Sequence, residues 1–258
     1  MLRGEPIGTV KGVLFDKDGT LSNSEYHLFQ LAELRVQTAS QLLKEQGASC
    51  KLLKEVKRLL AKAYGISNES ISPNGIIAIA SRDNNLISTA TVLCLLGETW
   101  PKALELSNKV FQLVERQQEE SDSSAGNRSL LPGVREILQN LHDADITCGL
   151  ISNDSCPGIQ SFLSNNNLRK FFSNLWSADH HPTKPNPAAV EGLCERLSLH
   201  PWECALIGDA DSDLLMARQS GIGIALGYTG GWTKKPILTE HQYLINNWNE
   251  LTIGQSKH

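Results

Sequence analysis

Three apolar runs of the sequence end in clusters of carboxylate, hydroxyl and amide side chains, and a lysine lies on a proline-flanked loop. Runs of this length are typical of buried strands. Ligands of open parallel sheets bind beyond the carboxyl ends of the strands, so we expect the clusters to meet in one pocket. The clusters are residues 16–20 (DKDGT), 152–154 (SND) and 209–213 (DADSD), and the lysine is Lys184 in the loop PTKPNP.

These side chains suit phosphoryl transfer. Carboxylates gathered in one pocket repel, and their pKa values rise unless a positive charge offsets the repulsion. A divalent cation supplies that charge, and an all-oxygen site suits Mg²⁺. Lys184 and the hydroxyl of Ser152 would then hold the remaining oxygens of a phosphate that bridges to the ion. The pattern therefore predicts a Mg²⁺ cofactor and a carboxylate nucleophile.

The elements that must position these residues follow an α/β pattern. Strand and helix patterns alternate from residue 128 to the end, and the apolar run at 10–16 indicates a further strand of the same sheet. Between them, apolar residues recur at helical spacing without a strand pattern. We predict a doubly wound parallel-sheet, Rossmann-like core at 1–24 and 128–258, with an inserted all-helical cap domain at 25–127. The predicted helices of the insert are 27–46, 51–64, 84–96 and 101–118, and residues 121–128 are predicted to form a loop or hinge.

Composition excludes several classes of protein. The 258 residues are 40% hydrophobic, which is enough for one full-sized core and a smaller second one. The formal net charge of −4 argues against a general nucleic-acid binder, which needs a basic surface. No apolar run approaches the roughly 20 residues of a membrane span, and the first residues lack the apolar segment of a secretory signal. We expect a cytoplasmic monomer or homodimer that binds a small phosphorylated substrate and neither nucleic acid nor membrane.

Four motifs resemble, in order and spacing, those of haloacid dehalogenase-like hydrolases. They are DKDGTL at 16–21, the strand-ending Ser152 and Asn153, KPNP at 184–187 and GDADSD at 208–213. Residues 184–227 are similar to the phosphoglycolate phosphatase-like branch along their whole length. The predicted insert matches the position of the family's helical cap. The resemblance implies a phosphatase that acts on a small soluble metabolite.

The resemblance also implies a role for each acidic residue of the motifs. Asp16 would be the nucleophile that forms an aspartyl-phosphate, and it would also be a ligand of the metal. Asp18 would be the general acid to the leaving group and then the base for the hydrolytic water, and its backbone carbonyl would ligate the metal. Asp209 would bind Mg²⁺ directly, with Asp213 close to the ion or holding its water. Family members that cleave carbon–halogen bonds lack the second aspartate, so Asp18 disfavours dehalogenation.

The remaining implied contacts involve the substrate. Lys184 would steady the charge of the nucleophile and of the phosphoryl group, and would bind the phosphate. Ser152 and the backbone N–H of Asn153 would bind phosphoryl oxygens, and Thr20 would position the loop around the phosphate. In the insert, Arg82 is a candidate contact to a second anionic group, because a guanidinium suits carboxylates and phosphates. A surface ion pair is the alternative role for this arginine.

Three functions remain open from the sequence. The leading hypothesis is a Mg²⁺-dependent phosphatase of a phosphoglycolate-like or sugar phosphate, and a phosphomutase uses the same four motifs. A non-catalytic phosphate-binding or interaction module is the third, although a binder has no need of both Asp16 and Asp18. The sequence assigns no role to Asp154 and Asp211, and predicts that the five tryptophans are packing residues.

Overall fold

A computed structural model of the protein describes residues 1–67, 70–121 and 129–254. The chain forms two compact units, Met1–Ser24 with Asn127–His258, and Glu25–Gly126. The strands are β1 (Gly12–Phe15), β2 (Ile66–Ser67), β3 (Ser70–Ile71), β4 (Thr147–Ile151), β5 (Phe172–Trp176), β6 (Cys204–Gly208), β7 (Ile224–Tyr228) and β8 (Tyr243–Ile245). The helices are α1 (Glu25–Glu45), α2 (Cys50–Tyr64), α3 (Ile76–Ile79), α4 (Arg82–Leu95), α5 (Trp100–Ser121), α6 (Val134–Asp143), α7 (Cys156–Asn165), α8 (Pro187–Arg196) and α9 (Asp211–Gln219).

The strands of the first unit form one parallel sheet in the order β5-β4-β1-β6-β7-β8. Strand β1 lies at the centre, where Phe15 pairs with Leu150 of β4 on one side and with Ile207 of β6 on the other. These three adjacent strands precede the three polar clusters of the sequence. All three clusters therefore begin at the same edge of the sheet, and the predicted parallel sheet is confirmed.

Helices cover both faces of the sheet. Side chains alternate along β1, so that Val13 and Phe15 join the hydrophobic cluster formed with α6 and α7. Leu14 points to the opposite face and joins the cluster formed with α8 and α9. Every residue of β1, β6 and β7 is buried, as expected for parallel strands covered on both faces. This arrangement confirms the doubly wound core.

The second unit contains α1–α5 and a short antiparallel pair, β2 with β3, in which Ile66 faces Ile71. The expectation of an all-helical insert is wrong in this detail. Gly65, with φ of +84°, ends α2 in the left-handed conformation and leads into the pair. Strands of two residues are too short to give an alternating pattern in the sequence.

Two further expectations concern the loop at 121–128 and the absence of a membrane span. The predicted loop at 121–128 lies outside the described residues except for Ser121, which ends α5. Among the helices that the structure describes, none combines the length and the apolar character needed to cross a membrane.

Candidate active site

Asp16 lies directly beyond β1, at the carboxyl edge of the sheet. Its backbone N–H donates to the carbonyl of Ile207 at 2.9 Å, which continues the pairing of β1 with β6. Its buried carboxylate accepts a hydrogen bond from Lys184 Nζ at 2.6 Å. Asp213, in the first turn of α9, lies 2.7 Å from the same ammonium. The lysine thus bridges two carboxylates that come from distant parts of the chain.

Asp16, Asp209 and Asp213 form a carboxylate triad in which one oxygen from each residue lies within 4.8 Å of the others. Burial raises the pKa of Asp16 from 3.8 to about 6, with repulsion from Asp213 adding to the rise and Lys184 opposing it. Burial also raises the pKa of Asp209 well above its ordinary value, together with repulsion from Asp16 and Asp213. Three buried carboxylates and one ammonium leave excess negative charge. That charge and the oxygen donors suit a divalent cation.

The ammonium of Lys184 stays charged in this setting. Burial alone would lower the pKa of Lys184, but attraction to Asp16 and Asp213 outweighs the burial and raises the pKa. A permanent positive charge beside Asp16 favours the ionised form of that carboxylate, which is the form that acts as a nucleophile.

Without a bound cation, the stability contributed by Asp16 is expected to fall as the pH rises from about 4 to about 6. The pKa of Asp16 is about 6 in the folded protein, against an ordinary value of 3.8. The folded state therefore holds more protons than the unfolded state across this interval, and stability is lost as the pH passes through it. Thermal unfolding in chelator measures the effect, and Asp16→Asn should show the weaker pH dependence. Equal pH dependence of Tm in the wild type and in Asp16→Asn would contradict the raised pKa of Asp16.

Gly19 turns the chain next to the triad, with φ of +76°. A Cβ at this position would overlap the side chains of Asp209 and Trp232. We expect Gly19→Ala to lower Tm and activity more than Gly221→Ala, which has the same φ and open space around the added Cβ. Both variants carry the left-handed backbone cost of about 1–2 kcal/mol, so their difference isolates the overlap. Similar losses in thermal unfolding and turnover would show that the turn tolerates a side chain.

Lys17 is a site residue that the sequence reasoning missed. Its side chain is fully buried, and its Nζ lies 2.7 and 2.6 Å from the two carboxylate oxygens of Asp18 and 3.1 Å from Asp154. The hydroxyl of Ser24 donates a further bond of 2.5 Å to Asp18. A lysine two residues after an apolar strand was the available signal, because a buried lysine needs an ionic partner. Asp154, which had no predicted role, is one of those partners.

Two side chains contact the carboxylate of Asp209 in ways that the motifs did not predict. The buried indole N–H of Trp232 donates a hydrogen bond to Asp209 Oδ2, although this tryptophan was predicted only to pack. Thr20 is also fully buried, and its hydroxyl lies 3.4 Å from Asp209 Oδ1. The structure therefore places Thr20 against a carboxylate of the triad, and its contact with a substrate phosphate stays a prediction.

Ser152 and Asn153 follow β4, which is the neighbour of β1 in the sheet. Ser152 is buried, and its backbone N–H donates to the carbonyl of Trp176 at 2.9 Å. Its hydroxyl accepts a bond of 3.1 Å from the backbone N–H of Asp154. These bonds hold the Ser152 hydroxyl at the same sheet edge that carries Asp16.

The comparisons with known proteins assign the family. A family model described as haloacid dehalogenase-like hydrolase matches residues 10–221, a range that includes all four motifs. The chain belongs to this family.

Curated relatives of this haloacid dehalogenase-like hydrolase include several phosphoglycolate phosphatases. The one from Vibrio vulnificus is 32% identical over 106 residues, which is 40% of this chain and 46% of that protein. The chain thus spans about half the length of the first curated relatives that it matches. The one from Yersinia pseudotuberculosis is 25% identical over 236 residues, which is 90% of this chain and 87% of that protein.

Solved structures of low identity share the fold. A predicted phosphoglycolate phosphatase from Haemophilus somnus has a TM-score of 0.66 at 20% identity and covers 95% of this chain and 97% of its own. A haloacid dehalogenase-like family protein from Streptococcus pneumoniae has a TM-score of 0.56 at 16% identity, with 93% and 96% covered. At these identities the likeness supports the fold of the hydrolase alone.

Two charged residues of this hydrolase have structural partners. Asp211 accepts bonds from the backbone N–H groups of Thr239 and Glu240, at 2.7 and 3.1 Å, and so fixes the segment after β7. In the second unit, Arg82 pairs with Glu115 through bonds of 2.5 and 3.0 Å. The ion pair weighed as the alternative for Arg82 is therefore present, and its contact with substrate stays a prediction.

Proposed function

We propose that the protein is a Mg²⁺-dependent phosphatase that hydrolyses a phosphomonoester of a small metabolite through an aspartyl-phosphate on Asp16. The observation that carries the proposal is the position of Asp16, buried in the carboxylate triad with the Lys184 ammonium at 2.6 Å. Family membership and the phosphoglycolate phosphatases among the curated relatives support the reaction class. A phosphoglycolate-like or sugar phosphate is the proposed substrate.

The triad would hold the cation. Its donors are hard carboxylate oxygens from two segments, Asp16 after β1 and Asp209 with Asp213 after β6, and their excess charge is the physical reason for a divalent ion at this place. When bound, Mg²⁺ would neutralise charge on the transferring phosphoryl group. The backbone carbonyl of Asp18 is the further ligand that we propose from the family motif.

The covalent steps fall to Asp16 and Asp18. A carboxylate oxygen of Asp16 attacks phosphorus, the bond from phosphorus to the leaving oxygen breaks, and Asp18 gives that oxygen its proton. Asp18 then takes a proton from a water that attacks the phosphorus of the aspartyl-phosphate. Phosphate leaves and the carboxylate of Asp16 is restored. In the structure, Lys17 and Ser24 both contact the carboxylate of Asp18 and so fix its position.

Lys184, Ser152 and the backbone N–H of Asn153 would hold the phosphoryl oxygens. Donors that are fixed before the reaction stabilise the charge that develops in the transition state without having to reorganise. In many enzymes this electrostatic stabilisation is the largest contribution to the rate enhancement. We also propose that the unit Glu25–Gly126 serves as the cap that selects the leaving group. The cytoplasmic location and the oligomeric state stay predictions.

Phosphate release over a panel of phosphorylated metabolites tests the function. We expect release with Mg²⁺ and none in excess chelator. An isomeric sugar phosphate in place of free phosphate would show a mutase. Ligand binding without any product would show a non-catalytic module and would overturn the proposal.

A further inference from the structure

Trp232 reaches the carboxylate triad from outside the four motifs and outside the residues matched by the family model. Its indole N–H donates to Asp209 Oδ2, and both side chains are almost completely buried, with 6% and 5% exposed. The segment that carries it follows β7, the neighbour of β6 in the sheet. Thr229 anchors this segment through a backbone bond of 2.9 Å to the carbonyl of Ile245.

The approach of this segment to the turn at Gly19 depends on a second glycine, Gly231. A Cβ at Gly231 would overlap the backbone carbonyl of Gly19. Any other residue at this position would push Trp232 away from the turn that follows Asp18. The indole is therefore held at Asp209 by the backbone that precedes it, which is anchored at Thr229 and packs closely against Gly19 at Gly231.

The chemistry of the donor distinguishes Asp209 from the other two carboxylates of the triad. Asp16 and Asp213 share the charged ammonium of Lys184. Asp209 instead receives a hydrogen bond from an indole, which is a donor only and carries no charge. Such a donor fixes the rotation of the carboxylate without neutralising it. A cationic donor in the same place would compete with a metal ion for the charge of Asp209.

We infer that Trp232 is a positioning residue that orients Asp209 for binding of the divalent cation. The inference rests on the proposed function, since it takes Asp209 as a ligand of Mg²⁺. Hydrogen-bond partners of metal ligands set the orientation of those ligands, and their loss weakens metal binding by roughly tenfold to a hundredfold.

Trp248 provides a matched control. It is as deeply buried as Trp232 and stacks on Tyr228 with 4.7 Å between ring centroids. Among the residues that the structure describes, its indole N–H finds no acceptor. Replacement of either tryptophan by phenylalanine removes the same atoms from a buried site, but only at Trp232 does it remove a bond to a carboxylate.

Calorimetric titration of the metal-free protein with Mg²⁺ alone tests the inference. We expect Trp232→Phe to raise the Kd for Mg²⁺ roughly tenfold to a hundredfold, and Trp248→Phe to leave it unchanged. The Mg²⁺ concentration needed for half-maximal activity should rise in parallel, while the substrate KM stays the same at saturating Mg²⁺. An unchanged Kd in Trp232→Phe would overturn the inference.

A measurement on the wild-type protein covers the case in which the variant does not fold. In a ¹H–¹⁵N spectrum with assigned indole signals, the Trp232 N–H should shift during the Mg²⁺ titration with the calorimetric Kd, and the Trp248 N–H should not. An unmoved Trp232 signal with Mg²⁺ bound would overturn the role of Trp232 and leave the proposed function standing. No binding of Mg²⁺ by the wild type would overturn both.

Discussion

Asp16→Asn should lower phosphate release by roughly 10⁴-fold or more while the fold stays intact. An amide keeps the shape of the carboxylate and can still accept a bond from Lys184, but it does not attack phosphorus. The substitution also removes one of the three charges that attract the cation. Steady-state phosphate release measures the activity, and circular dichroism with thermal unfolding checks the fold.

Asp143→Asn is the matched control for this substitution. It makes the same chemical change at an exposed position of α6, where the carboxylate accepts a bond from the Gln139 side chain. We expect wild-type activity from this variant. Substantial turnover by Asp16→Asn under the same conditions would mean that another group is the nucleophile.

Lys184→Met should cost both stability and activity. Removal of the ammonium leaves Asp16 and Asp213 buried without their counter-charge, and breaking a buried ion pair costs about 3–5 kcal/mol. For a chain of this length the loss corresponds to a fall in Tm on the order of 10 °C. The fall should be larger in chelator than with Mg²⁺, because a bound cation replaces part of the lost positive charge.

The double variant Lys184→Met with Asp213→Asn separates charge balance from catalysis. Removing one carboxylate together with the lysine should recover part of the lost Tm, since the two residues interact directly. Activity should not recover, because the charge beside Asp16 is still missing. If the single and double variants lose the same stability, Lys184 does not act by balancing the triad.

Much of the core could be predicted because buried parallel strands leave a strong local signal. Apolar runs at β1, β4 and β6 were visible as continuous segments, and each was followed at once by polar residues. The rule that ligands bind beyond the carboxyl ends of such strands then brought Asp16, Ser152 and Asp209 to one edge. Helix α2 was predicted to within one residue, from 51–64 to Cys50–Tyr64, because its apolar face repeats at helical spacing.

The missed residues depend on long-range packing. Trp232 meets Asp209 only because β7 lies beside β6 and Gly231 permits a close approach to Gly19. Neither condition has a local pattern in the sequence. The contact of Ser24 with Asp18 could likewise not be predicted, because this hydrogen bond depends on how the chain turns after Gly19. The pair β2 and β3 was missed because its strands hold two residues each.

Chemical trapping of the phosphorylated protein tests the central claim most directly. Acid quenching during turnover of an aryl phosphate with Mg²⁺, followed by borohydride reduction, converts an aspartyl-phosphate to homoserine. Peptide mass spectrometry should then find homoserine at position 16 in the wild type and none in Asp16→Asn. Active protein without homoserine at position 16, or with the label on another residue, would contradict the role of Asp16.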